Sequence, residues 1–323
     1  MPPLDGVRVI DLTRLLPGAY ATQLLVDLGA QVVKVEDPNG GDGMRRFGEA
    51  FDRVNRGKQS VTLDLRSADA MPVLHALLAR ADVVIHSFRP STAARLRVDG
   101  DTLRAAHPRL ICASITGFGL TGPRAEMAAH DINYRALAGQ LAGAKRPGPL
   151  IADIGAAMHA TIKILAALIE RDRMGVGSVL DAPIFDAARE WTSFPETDDF
   201  ESACYSLYEA ADGEWLALGA LEPKFWRRFC ERLDHREWIP RQRERDIPEL
   251  RALMRTRSRD EWLALFEGVD VCLTPVVNET DGGVSGFRRT AAAPALGADT
   301  DTVLASCGIA ANDRARLRAS RVI

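Results

Sequence analysis

Short β-branched runs alternate with longer amphipathic stretches through the first part of the chain. Residues 7–12 (VRVIDL), 31–36 (QVVKVE) and 82–87 (DVVIHS) read as strands, and residues 17–30 and 68–81 carry helical periodicity. Runs such as DVVIHS are apolar at consecutive positions, which a strand needs when helices cover both faces of its sheet. This alternation predicts an α/β fold with a Rossmann-like, doubly wound parallel sheet. Further along, residues 109–117 read as another strand, 154–173 as a long helix, and 178–185 as a return to the sheet.

The pattern breaks at residues 191–204, which are acidic, contain a proline and lack sustained periodicity, so a linker is expected over 187–204. Beyond it, SLYEA and EWLALGA flank the turn ADG (211–213), a hairpin signal. Helical patterns follow at 223–233, 247–256 and 259–267. The run VCLTPVV (271–277) then meets a glycine-rich segment, and residues 300–319 suit two short helices. The expected layout is a large α/β domain over 1–186, a small α+β domain over 205–284, and a tail, 285–323, that returns to the large domain.

Composition narrows the function. Hydrophobic residues make up 46% and charged residues 26%, so the chain can bury a core and is neither disordered nor fibrous. A net charge of −3, without a basic block interleaved with aromatics, speaks against a nucleic-acid partner. Five scattered cysteines, an odd number with no C-x-x-C spacing, fit free thiols in a reducing compartment and no metal site. No basic-then-apolar leader opens the chain and no run approaches the ~18 apolar residues of a membrane span, so a cytoplasmic protein without a membrane partner is expected.

The letters GFGLTG (117–122) satisfy G-x-G-x-x-G, but they come late and run into Pro123, whereas a dinucleotide fingerprint leaves the first strand and opens a helix. A turn that lets backbone approach a ligand fits better. Just downstream, AAHDINY places His130 and Asp131 at a helix entrance. An imidazole titrates near neutrality and can take and return a proton, although a histidine taken alone is better explained by structure; Asp131 suits a helix cap equally. Asp153 opens the long helix, as either a cap or an acid. Glu222, before Pro223, has the position of an ordinary helix-start glutamate. His159 falls nearly opposite Asp153 on its helix, and His86 ends a strand where it suits a core or a ligand crevice. No G-x-S-x-G elbow, H-E-x-x-H pair or Walker loop occurs.

Taken together, LDGVRVIDLTRLLPGAYATQLLVDLGAQVVKVEDPNGGD, NRGKQSVTLDLR, DVVIHSFRP, ITGFGLTGPR, AAHDINY, DIG, YEAADGEWLALGALEP and CLTPVV resemble the class III CoA-transferase superfamily, with its carnitine dehydratase and bile-acid-inducible protein F members. Within it, AHDINY and ALEP are most similar to α-methylacyl-CoA racemases, and transferases typically carry a tyrosine-type residue at position 130. The resemblance implies His130 as base, Asp153 as opposing acid and Glu222 as support for the histidine. It implies CoA against Asp37, Leu63, Arg66 and Arg95 and along residues 129–134, including Ala129, Asp131, Asn133 and Tyr134. Asp37 replaces an arginine that many relatives have there. The linker and the segment after Val277 are shorter than in racemases.

The resemblance further implies a racemase or epimerase of 2-methylacyl-CoA thioesters, working as an interlocked homodimer with no cofactor beyond the CoA of its substrate. Its enolate oxygen is expected on backbone N–H groups around Ala152–Gly155. The alternatives are a CoA-transferase with Asp153 as nucleophile, or a CoA-ester binding homologue without activity.

Overall fold

A computed structural model describes residues 1–142, 148–193, 202–277 and 292–323. Within them the chain forms two compact units, Met1–Ser193 with Arg289–Ile323, and Phe194–Arg288.

The first unit is built on a six-stranded sheet, β1 (Arg8–Leu12), β2 (Gln31–Glu36), β3 (Gln59–Thr62), β4 (Val83–His86), β5 (Ile111–Ser114) and β6 (Val179–Asp181). All pairings are parallel and the order is β3-β2-β1-β4-β5-β6. Consecutive apolar residues in these strands serve two cores, because successive side chains leave opposite faces. Val9, Val83, Ile85 and Ile111 join helices Leu15–Asp27, Ile151–Met174 and Ile184–Trp191 on one face. Ile10, Leu12, Val84 and Cys112 meet helices Ala70–Leu78 and Gly100–Ala106 on the other. The C-terminal helices Thr300–Ser306 and Ala311–Ala319 close that second core through Val303, Leu304 and Leu317. They are tied to the edge by Ser60 N–H to Asp299 (2.8 Å) and Asp64 N–H to the Val322 carbonyl (2.8 Å).

Three expectations shift. The strand expected over 178–185 stops at Asp181, because Pro183 caps a helix that runs from Ile184 to Trp191 and reaches into the segment expected as linker. The rest of that linker, 194–201, and the glycine-rich segment 278–291 lie outside the described residues. Helix Ile151–Met174 is also apolar enough to pass a membrane-span test, with a mean hydropathy of 1.5 over 18 residues, contrary to the reading that no run approaches that length. Half of that window is buried in the first core, and packing against helices Leu15–Asp27 and Ile184–Trp191 explains its composition.

The second unit carries the expected hairpin, β7 (Tyr205–Glu209) antiparallel to β8 (Trp215–Gly219), with β9 (Leu273–Pro275) completing the sheet. Trp226, Phe229, Trp238 and Trp262 fill its core.

Candidate active site

In an open α/β sheet, ligands sit beyond the carboxyl ends of the strands where the strand order reverses. Here the reversal lies between β1 and β4, and a cleft opens there. Its walls come from the exits of β1 (Thr13, Arg14), β2 (Asp37) and β3 (Leu63, Arg66), and from helix Pro90–Arg95 (Thr92, Arg95). Asp37, Leu63, Arg66 and Arg95, far apart in sequence, therefore line one space. Leu63 is buried in the wall and Arg66 is 63% exposed, held by Asp37 (3.1 Å) and Asp64 (2.7 Å). Arg14 and Arg95 are exposed and form no ion pair among the described residues. Arg14 lies over the Phe88 ring (5.5 Å), and two cations without a carboxylate partner in a cleft of this kind suit phosphates. Arg14 has no counterpart among the sequence expectations, since a lone arginine after a strand carries no signal until the topology places it.

Under this cleft lies a cluster of buried charge. Lys34 Nζ contacts Asp42 (2.9 Å), Asp11 (3.9 Å) and the Thr13 carbonyl (3.0 Å). Lys58 Nζ reaches the Ala19 carbonyl (2.9 Å), Thr22 Oγ1 (2.7 Å), Asn55 Oδ1 (2.8 Å) and Asp11 (3.4 Å). Burial disfavours the ionised Asp11, but the two lysines and the Thr13 and Thr22 hydroxyls outweigh it and hold the carboxyl below its ordinary range. Lys34, opposed by burial and favoured by Asp11 and Asp42, is held above its usual value. Burial pulls Lys58 down to about 7, against the attraction of Asp11. Its surroundings all accept hydrogen bonds, so we assign it as an ammonium.

The second focus is where two helices begin. His130 is exposed and N-caps helix Asp131–Leu137, and its backbone N–H donates to Asn133 Oδ1 (3.0 Å). Asp131 is 3% exposed and does not cap its own helix; its Oδ1 accepts from the Ala152 and Asp153 N–H groups (2.9 and 3.2 Å) at the start of helix Ile151–Met174. Its Oδ2 lies 3.5 Å from Arg135, which also holds the Pro149 carbonyl. The two helix entrances are thereby joined through Asp131, the residue next to His130 in the chain.

Leu150 is the N-cap of the long helix, so Asp153 is in its first turn rather than at the cap. The carboxyl is half-buried and receives no hydrogen bond or ion pair from other described residues. Burial, then the neighbouring Asp131 charge, raises it to about 7. Tyr134 is pushed up to about 12 by burial and by Asp153. Its hydroxyl donates to the Ala129 carbonyl (3.3 Å), and its ring packs on Phe118 (5.1 Å between centroids).

One expectation is overturned here. The N–H groups of Ala152 and Asp153 are taken by Asp131, and that of Ile154 bonds to the Leu150 carbonyl (3.1 Å), so this stretch is not a free oxyanion site.

The glycine turn connects the two foci. Asp181 at the end of β6 accepts from Thr116 Oγ1 (2.7 Å) and Leu120 N–H (2.8 Å), and Gly119 and Gly122 take positive φ angles of 100° and 104°. A side chain at Gly117 would come within 2.7 Å of the Tyr134 hydroxyl, so glycine there admits the tyrosine. Further on, Glu126 accepts from the Ser91 N–H and hydroxyl (both 2.7 Å), tying the loop before His130 to the helix whose Thr92 and Arg95 line the cleft.

Three candidates remain. Glu222 belongs to the second unit, exposed at the N-cap before Pro223, the position an ordinary helix-start glutamate takes. His159 pairs with Glu190 (3.1 Å). His86 is buried, its Nδ1 accepts from the Phe88 N–H and its Nε2 meets Ser114 (3.0 Å), and burial lowers it to about 4. It is a neutral structural ring.

A switch-point cleft whose Arg14 and Arg95 form no ion pair among the described residues, tied through Glu126 and Ser91 to the loop before a helix entrance bearing an imidazole and a raised carboxyl, has the make-up of an α/β enzyme site. The family model for CoA-transferase family III matches residues 4–282, and the chain belongs to that family. The α-methylacyl-CoA racemase of Mus musculus is 35% identical over 303 residues, 85% of this chain and 77% of the relative. A succinate–glutarate CoA-transferase of Agrobacterium fabrum is 37% identical over 206 residues, 57% of this chain and 52% of its own length. A crystal structure of a CaiB/BaiF family protein from Brucella suis superposes with a TM-score of 0.80 at 26% identity, over 95% of this chain and 99% of that one.

Proposed function

We propose that the chain is a racemase or epimerase of 2-methylacyl-CoA thioesters, working by proton transfer between two bases. The CoA moiety occupies the switch-point cleft, against Asp37, Leu63, Arg66 and Arg95, and its thioester arm follows residues 129–134 towards the helix entrance. His130 takes the α-proton from one epimer, the C–H electron pair passes into the thioester enolate, and the Asp153 carboxyl delivers its proton to the opposite face. The reverse reaction exchanges the two roles, so no cofactor is required beyond the CoA of the substrate. One observation carries this reading: a half-buried carboxyl without partners among the described residues, raised to about 7, adjoins the residue pair that holds an exposed imidazole. Such a group is divided between its protonated and ionised forms near neutral pH, so it can both give and take a proton.

The homodimer belongs to the same proposal, and Glu222 enters only through it. Met158, Ile162 and Ile169 leave an apolar stripe on helix Ile151–Met174 that is 44%, 61% and 57% exposed, a surface suited to self-association. Free thiols at all five cysteines suit a reducing compartment.

The test is incubation of 2-methylacyl-CoA epimers in deuterium oxide. Solvent exchange at the α-carbon together with epimerisation is expected, and His130→Gln and Asp153→Asn should each lower the rate at least ~100-fold. No exchange across a panel of 2-methylacyl-CoA substrates removes the proposal. Hydroxylamine trapping of an acyl group on Asp153 identifies a transferase instead.

A further inference from the structure

We propose that Asp131 is a positioning residue that makes Asp153 the proton-carrying member of a carboxylate pair, by taking the helix N–H groups and the guanidinium that would otherwise favour an ionised Asp153. The inference rests on the proposed function. Asp131 is buried, its Oδ1 holds the Ala152 and Asp153 N–H groups, and its Oδ2 faces Arg135. A carboxylate that accepts two N–H bonds beside a cation is the ionised one. Asp153 is left in the same helix turn without a donor among the described residues, half-buried and next to that fixed charge. Both conditions favour its neutral form.

Among the described residues, the ionisable groups on the surrounding elements are few. They are His130, Tyr134 and Arg135 at the entering helix, Arg89 ahead of helix Pro90–Arg95, and Glu190, held by His159, on helix Ile184–Trp191. Among them and Asp131, the charge that moves Asp153 is that of Asp131.

The consequence concerns how two unlike bases share one proton. An ordinary aspartic acid and an ordinary imidazole differ by about 2.6 pKa units, so a single shared proton would sit on the carboxyl only about once in 400 molecules. Burial first, and then the like charge beside the carboxyl, narrow that gap and bring the two arrangements of the proton closer in population. Asp131 thus tunes the acid without touching the substrate through its side chain.

The experiment uses the full chain with 13C-labelled aspartate, following the Asp153 carboxyl by NMR titration and the α-exchange rate against pH in parallel. Asp131→Asn keeps an oxygen for the two N–H groups and removes the charge. The Asp153 midpoint should fall by at least about one pH unit, and the acid limb of kcat/KM should move down with it. At pH 7, kcat should drop about tenfold while KM changes less than about twofold. Arg135→Gln leaves Asp131 less compensated and should move the midpoint upward, which decides the matter alone if Asp131→Asn fails to fold. A midpoint unmoved in a folded variant overturns the inference. Should Asp153→Asn and His130→Gln leave exchange intact, the proposed reaction falls, while the carboxyl titration still reports on Asp131.

Discussion

Two regions of the first unit bury ionisable side chains, and they do so in opposite ways. Beneath the cleft, Asp11, Lys34, Asp42 and Lys58 alternate in sign, and the two lysines are met by acceptors from Thr13, Ala19, Thr22 and Asn55. At the helix entrance, Asp131 and Asp153 place two carboxyls of one sign together, and among the described residues only Asp131 receives donors and a cation. The balanced cluster fixes the walls of the cleft. The unbalanced pair leaves one group that cannot ionise freely, and such groups are where proton transfer becomes possible near neutral pH. Local rules are kept where the chain needs rigidity and broken where it needs chemistry.

The largest expected effect comes from unbalancing the cluster. Lys58→Met leaves Asp11 buried with one cation fewer and should lower unfolding free energy by about 3–5 kcal/mol, measured by urea denaturation at pH 7. If the loss is below about 1 kcal/mol, the cluster is not the rigid counterpart of the helix entrance.

His86 offers an intermediate case, a buried titratable group kept neutral. Its folded value of about 4 lies below the ordinary 6.5, so its contribution is complete above pH 6.5 and is lost as pH falls towards 4. Between pH 7 and 4.5 the wild type should lose about 2–3 kcal/mol more stability than His86→Gln. Parallel curves for the two proteins would show that protonation of this ring does not set the acid limb.

Asp153 has the reverse sign. Its folded value, raised from 3.8 to about 7, means that stability is lost as pH rises across that interval, because the unfolded chain ionises first. Asp153→Asn should therefore gain about 1–2 kcal/mol over the wild type at pH 8 and nearly nothing at pH 3.5, with partial exposure reducing the full linkage value. It should lose exchange activity while gaining stability. The smallest effect is expected from Gly117→Ala, about 1 kcal/mol, as Tyr134 shifts away from the new methyl group. A thermal unfolding midpoint equal to the wild type's would show that this contact is soft.

Much of the fold is legible in the linear pattern. β1, β2, β4 and the hairpin of β7 and β8 fall within about a residue of their expected bounds, because strands covered on both faces need consecutive apolar residues and the turn at residues 211–213 declares itself. β3 (QSVT) carries no such signal; it is a short edge element with three polar residues, and its pairing with β2 is a tertiary event. Helices Glu49–Asn55, Pro90–Arg95 and Gly100–Ala106 are two turns or fewer, too short for periodicity to register.

The candidate site is legible as residue types and motif resemblance, not as electrostatics. His130 and Asp153 stand out from their contexts, yet Asp131 reads as a cap for its own helix, because sequence adjacency is the only neighbourhood a linear pattern contains. By itself the sequence determined the parallel sheet, the family resemblance and the candidate proton-bearing side chains, since these depend on local periodicity and on chemistry carried by single residues. Only the tertiary structure decided that Asp131 serves the other helix, that Arg14 and Arg95 share a cleft, and that Asp153 stands without a partner among the described residues. Each of these depends on the distance between groups far apart along the chain, and burial and Coulomb interaction follow that distance.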